Sequence, residues 1–234
     1  MNDYLKILKL EKNILENSDN THWAKWIAKD IYEWENNQST KHHREAFGGM
    51  GSINDIAIGE NNKTGAWKEN LFQLLKSMSW TFATKRKIEY PRVNPQQFEG
   101  MICRKCEYSE VSEYSFNSIL AKRNLPSLIK KWLPTENFET LLKIEEITKE
   151  IAIENESKKL NAALTNSSIV QKPFYTVYPK CPKCNAENSC VYRWELFNNG
   201  NEFNISRSSN NLKLEKEIIE KPSNNWIKKI LGYR

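Results

Sequence analysis

Apolar residues recur at helical spacing in three stretches of the first third of the chain. Tyr4, Ile7, Leu8, Glu11, Ile14 and Leu15 fall on one face, five of the six apolar or aromatic. A second stripe, Trp23, Trp26, Ile27, Ile31 and Trp34, follows Asp19-Asn20-Thr21, three residue types that favour helix N-caps. A third, Trp67, Leu71, Leu74, Leu75, Met78 and Phe82, follows Asn61-Asn62-Lys63-Thr64. These stripes are wide enough to bury one another. Residues 1–88 therefore read as an independently folded helical bundle with Trp23, Trp26, Ile27, Trp67, Leu71, Leu74 and Met78 in its core.

The pattern breaks at Tyr90-Pro91-Arg92-Val93-Asn94-Pro95, which reads as a linker. Beyond it, FEGMICRKCEYSEVSEYSF alternates apolar and polar positions in short runs, as strand, turn and strand would. Helical spacing returns from Phe116 to Leu164, with breaks expected at Pro126 and Pro134, and Phe138, Leu141, Leu142, Ile144, Ile147, Ile151 and Leu160 share a face. Strand character resumes at Pro173–Tyr178 and at Cys190–Phe197. NNGNEFNISRSSNN reads as a polar, mobile loop, and the last residues offer short helices on either side of Pro222-Ser223. The expected fold class is α+β, mostly α. A helical bundle over 1–88 precedes a small four-cysteine, zinc-ribbon-like β module over 98–197, which carries a helical insertion of about 112–164; a polar loop and C-terminal helix fill 198–234.

Candidate chemistry centres on Cys103 and Cys106, then Cys181 and Cys184, two CxxC pairs. Each pair offers two thiolates from one tight turn, and four thiolates complete the tetrahedral shell that Zn²⁺ prefers. The expectation is one structural zinc per chain. A redox pair or four unconnected buried cysteines is the competing reading. Both turns carry basic residues, Arg104-Lys105 and Pro182-Lys183, which offset thiolate charge. The long separation of the pairs is tolerable because closure entropy grows only logarithmically with loop length. Cys190 is left over, either packing as a small apolar residue or serving as a further thiol ligand. The knuckles and flanking strands, residues 98–110 and 173–197, resemble the zinc-ribbon class, in which two CxxC hairpins hold one zinc; that resemblance implies a fold and leaves function open.

Ala46-Phe47-Gly48-Gly49-Met50-Gly51-Ser52-Ile53-Asn54-Asp55 is the other distinctive stretch. Its structural reading has glycines at special backbone angles, Ser52 and Asp55 capping a helical turn, and Asn54 and Asp55 bonding nearby amides. The alternative is an anion-binding nest, although the Gly-Lys-Ser/Thr ending of a nucleotide loop is missing. Together with HWAKWIAKDIYEW, this motif resembles an uncharacterised family of small bacterial proteins with a GGMGSxND signature. The resemblance spans roughly residues 5–85 and implies a bacterial helical domain without supplying an activity. His22 reads as solvent-facing, and His42 and His43 as part of a polar helical segment. Ser52, His43 and Asp55 can be drawn as a nucleophilic set, but nearness in sequence is not geometry. No catalytic residues are assigned.

Charge is uneven. Residues 1–100 carry 14 Lys+Arg against 13 Asp+Glu and residues 101–234 carry 21 against 16, so the cysteine-bearing part holds +5 of the net +6. No apolar run approaches a membrane span, the N-terminus is too charged for a signal-peptide core, and paired cysteines favour metal over disulfides, which together place the chain in the cytoplasm. The closed metal pattern and the lack of an acid–base set favour a non-enzymatic interaction protein with a protein partner: an adaptor, an immunity factor, or a subunit of a defence or toxin-related complex. Lys105, Lys183 and Arg193 are its candidate contact residues. The second reading is a nucleic-acid binder that sets these cations and Arg104 and Lys180 beside Tyr108, Tyr178, Tyr192 and Trp194. An enzyme with a site near the glycine loop ranks third. Oligomeric state is not encoded in any feature of the sequence.

Overall fold

The computed structural model describes residues 3–58, 62–90, 96–134, 167–170, 179–187, 189–199 and 202–206. The three apolar stripes form α1 (Asp3–Glu16), α2 (Thr21–Asn37) and α4 (Lys63–Lys85), with a short α3 (Lys41–Glu45) between the last two. Asn62 caps α4 by accepting the Gly65 amide at 2.7 Å. Gln38 and Arg86 end α2 and α4 in the left-handed conformation, each returning its amide to the fourth preceding carbonyl. The Arg86 side chain ties these two ends together, donating to the Gln38 carbonyl at 3.2 Å and lying over the Trp34 ring.

Ile27, Trp67, Leu71, Leu74 and Met78 are buried as expected, whereas Trp23 and Trp26 are half-buried at the margin of the core. Both pack against that core while partly exposed, and Trp26, stacked on His42, keeps its indole N–H buried without a hydrogen-bond partner among the described residues. The core does not end with α4. Helix α5 (Glu113–Trp132) packs along α4 and adds Phe116, Ile119, Leu120, Leu125 and Ile129, with Ile102 and Val111 from the sheet joining the same cluster. Trp67 donates to Asn117 at 3.4 Å, Asn70 to Ser118 at 2.8 Å, and Lys6 to the Leu133 carbonyl at 2.7 Å.

Helix α5 runs through Pro126 where the sequence suggested a break. A proline removes one amide donor, and the apolar face, with Leu125 and Ile129 buried on either side, holds the helix together across it. The stretches expected to be helical over 135–164, extended over 173–178 and helical near the C-terminus lie outside the described residues.

The sheet has the order β3-β2-β1-β4-β5, with β1 Gln96–Cys103, β2 Ser109–Ser112, β3 Ser167–Val170, β4 Cys190–Asn199 and β5 Glu202–Ser206. Among the described strands, only β2 and β3 pair in parallel. The expected mobile loop after residue 197 is corrected here: β4 continues to Asn199 and pairs with β5 from Asn199↔Glu202 to Glu195↔Ser206. The described residues are thus α+β and mostly α.

The glycine loop joins α3 to α4. Ser52 accepts the Asn54 amide and Asp55 reaches back to the loop backbone, forming a capping box around the 3-10 turn Ile53–Asp55. The amides of Gly51 and Ser52 both donate to Asp55 Oδ2, at 2.7 and 3.2 Å, and Asn54 donates to the Phe47 carbonyl. Asp55 thus takes up two of the loop amides that an anion nest would use. Gly49 has φ +82° with open space around its α-carbon. Gly49→Val is expected to cost about 1–2 kcal/mol through backbone strain alone. Gly48→Ala, equally open but without a positive φ, is expected to be nearly neutral; urea titrations of both variants check this, and equal losses in the two would contradict this account.

Candidate metal centre

Two small hairpins bring the cysteines together. In the first, between β1 and β2, the Cys103 amide donates to the Tyr108 carbonyl and the Glu107 amide to the Cys103 carbonyl. In the second, the Cys181 amide donates to the Ala186 carbonyl and the Asn185 amide to the Cys181 carbonyl. The two turns repeat each other down to their left-handed residue, Glu107 at φ 61° and Asn185 at φ 56°. Each such turn aims both thiols to one side. The antiparallel pairing of β1 with β4, which includes Cys103↔Cys190, and the Arg104 amide bond to the Ser189 carbonyl set the hairpins face to face.

All four Sγ atoms lie within 4.8 Å of one another. Cys103 and Cys184 approach to 3.7 Å, as do Cys106 and Cys181. A disulfide needs about 2.05 Å, so these are four separate thiols. A tetrahedron with metal–sulfur bonds of about 2.3 Å has edges of roughly 3.8 Å, close to the shorter separations. The donor set fits a divalent thiophilic ion, and it is the only His/Cys/Asp/Glu cluster of metal-binding geometry among the described residues.

The electrostatics favour the same reading. Burial opposes ionisation of Cys103, but hydrogen bonds from Ser189 and the backbone amides of Cys106 and Lys105 outweigh it and bring the thiol down to about 6. At Cys106 the Tyr108 amide favours the thiolate, while burial and the three neighbouring thiols push it up to about 12. Four crowded thiols cannot all ionise without a cation between them. Among the described residues the hairpins' apolar cluster holds only Met101, Cys103 and Cys181 as buried members, with Cys106, Tyr108 and Cys184 against it, so an ion held by the four thiols would stand where packed side chains otherwise would.

Lys105 and Lys183 are exposed on the two turns, and Lys183 Nζ lies 5.7 Å from the Tyr108 ring centre. Arg193 sits on β4 opposite Glu99, and Cys190 on the same strand opposite Cys103. The glycine loop contributes nothing to this site; it borders the helical core, where Ile53 is buried and Lys76 donates to its carbonyl. Ser189, whose Oγ is 3.2 Å from Cys103 Sγ, was not singled out by the cysteine spacing. Its signal is a small hydroxyl residue just before the strand that returns from the second turn.

The histidines depart from expectation. His22 is exposed, but His43 is buried, and both His42 and His43 bind one buried carboxylate, Asp30. Adjacent helical residues diverge, so each ring takes a different oxygen of that carboxylate.

No helix among the described residues is long and apolar enough to cross a membrane. No curated protein and no solved structure matches the chain. Residues 16–66, which run from the end of α1 through the glycine loop into α4, match DUF6966, a domain of unknown function.

Proposed function

We propose that the protein is a non-enzymatic, zinc-binding interaction protein whose four-cysteine centre is structural and whose partner is another protein. The observation that carries this is the closure of the centre: four thiols within 4.8 Å of one another fill a tetrahedral shell and leave no position for water or substrate. A closed ion shapes a surface, and the surface here includes the exposed Lys105 and Lys183 on the turns; Arg193 of β4 is the third candidate contact. The partner class suggested by the sequence, in an adaptor, immunity or defence-complex setting in the bacterial cytoplasm, is part of the same proposal.

One observation favours a second reading. Lys183 above Tyr108 pairs a cation with an aromatic ring, the combination that grips phosphate and stacks on an unpaired base. Charge reversal at Lys105, Lys183 and Arg193 together is expected to weaken association with a partner co-purified from the native host at least tenfold, with metal content and melting temperature unchanged. Unchanged affinity would remove this surface from consideration. A salt titration separates the two classes: nucleic-acid binding through several phosphates falls steeply with salt, an apolar protein interface weakly.

A further inference from the structure

The four thiols of the metal centre are not equivalent. Cys103 and Cys181 are buried, whereas Cys106 and Cys184 are partly exposed. The close approaches cross from one hairpin to the other: Cys184 Sγ lies 3.7 Å from Cys103 Sγ, and Cys106 Sγ lies 3.7 Å from Cys181 Sγ. Each of these pairs joins one partly exposed thiol to one buried thiol. The buried members are also held in place. Ser189 Oγ lies 3.2 Å from Cys103 Sγ, and the Lys183 amide donates to Cys181 Sγ at 3.4 Å.

A small oxidant meets the accessible sulfur first, and a neighbouring thiol then resolves the product. We propose that the centre is also a site of oxidative modification by hydroperoxides, at which Cys106 and Cys184 are oxidised first and Cys181 and Cys103 of the opposite hairpin close the disulfides. This rests on the zinc reading only for what the oxidation displaces; the pairing rests on the positions of the thiols.

The chemistry closes without a further reactant. The Cys106 thiolate takes one peroxide oxygen as the O–O bond breaks and hydroxide leaves, giving a sulfenic acid. The Cys181 thiolate attacks that sulfur, the S–O bond breaks, and a second hydroxide leaves. Two sulfurs have given up two electrons, and one hydrogen peroxide has been reduced to two hydroxides. The same two steps at Cys184 and Cys103 form the second bond. Reaching disulfide length from 3.7 Å takes less than about 2 Å of relative sulfur movement. With both bonds closed, no thiolate is left to hold an ion. A bond within either turn would join nothing that the turn does not already join. The cross-hairpin bonds instead replace the link that the ion supplied, so the two hairpins stay together after it has gone.

Peptide mapping of the zinc-loaded full chain after treatment with hydrogen peroxide tests this. Tryptic cleavage at Arg104, Lys105 and Lys183, combined with glutamate-specific cleavage at Glu187, places each of the five cysteines in a separate peptide. The expected links are Cys103–Cys184 and Cys106–Cys181, with zinc passing to a chromogenic chelator at about two peroxides per ion. A cyclic diketone that traps sulfenic acids, added early, is expected to label Cys106 and Cys184 at least about tenfold more than Cys103 and Cys181. Links within a turn or to Cys190 as the main products, preferential labelling of the buried thiols, or zinc retained under peroxide overturns the proposal. A chain that takes up no zinc at all defeats the metal reading instead, and the same peptides still decide the pairing.

Discussion

Cys181→Ser is expected to abolish stoichiometric zinc and to unfold both cysteine turns while α1–α4 stay helical. Cys181 is fully buried, pairs with Cys106 at 3.7 Å, and its sulfur also accepts the Lys183 amide at 3.4 Å. A serine hydroxyl there neither ionises readily nor reaches as far as a thiolate. Structural zinc contributes about 10–16 kcal/mol of apparent binding energy to small modules, so losing one of four ligands should cost on the order of 3–5 kcal/mol. Metal analysis of the purified wild-type and variant chains, with amide spectra of both, checks the result. One zinc in the wild type and none in the variant is expected; a metal-free wild type that keeps its sheet would sink the structural role.

The second large effect concerns where the helical unit ends. The linker composition draws its boundary at residue 88, but the apolar cluster continues into α5 through Phe116, Ile119, Leu120, Leu125, Ile129 and Leu133. Full burial of one such side chain contributes about 1.5–3 kcal/mol, so removing six exceeds much of the stability of an ordinary domain. A fragment ending at residue 88 is expected to keep helical content but lose fixed packing, whereas one ending at residue 134 should unfold cooperatively. Amide spectra of both fragments read this directly. A dispersed spectrum and a sharp transition for the shorter fragment would restore independent folding at the linker.

Much of this architecture is legible in the chain because its signals are local. Helix spacing located α1, α2 and α4, and the paired CxxC spacing brought four distant thiols into one cluster. Misreadings arose where the deciding contact is remote. Pro126 breaks a helix only if the rest of the turn is weak, and Leu125 and Ile129 anchor it in a core that the local pattern does not show. Phe203 and Ile205 alternate with polar residues, but asparagine and serine on either side mask the period, and only pairing with β4 makes the strand evident. The role of Asp30 was invisible because its partners lie 12 and 13 residues away on another helix. Glu11 was visible as the one charged residue in an apolar stripe. Such a residue is either a solvated margin or a buried acid, and the stripe alone does not separate the two.

The span between the cysteine pairs has a consequence for how the chain is made. Cys106 and Cys181 are 75 residues apart. At about 5–20 residues per second, a ribosome needs roughly 4–15 s to deliver the second pair after the first. Over that interval Cys103 and Cys106 form an open half-site, able to take a stray copper or zinc ion or to be oxidised. Helix α5 emerges early in the same interval and can already dock on α4, fixing β1 and β2 against the helical core. The nascent first turn is thus held on a folded platform while it waits for its ligand partners, so the vulnerable species is a half-built metal centre and not an unfolded chain.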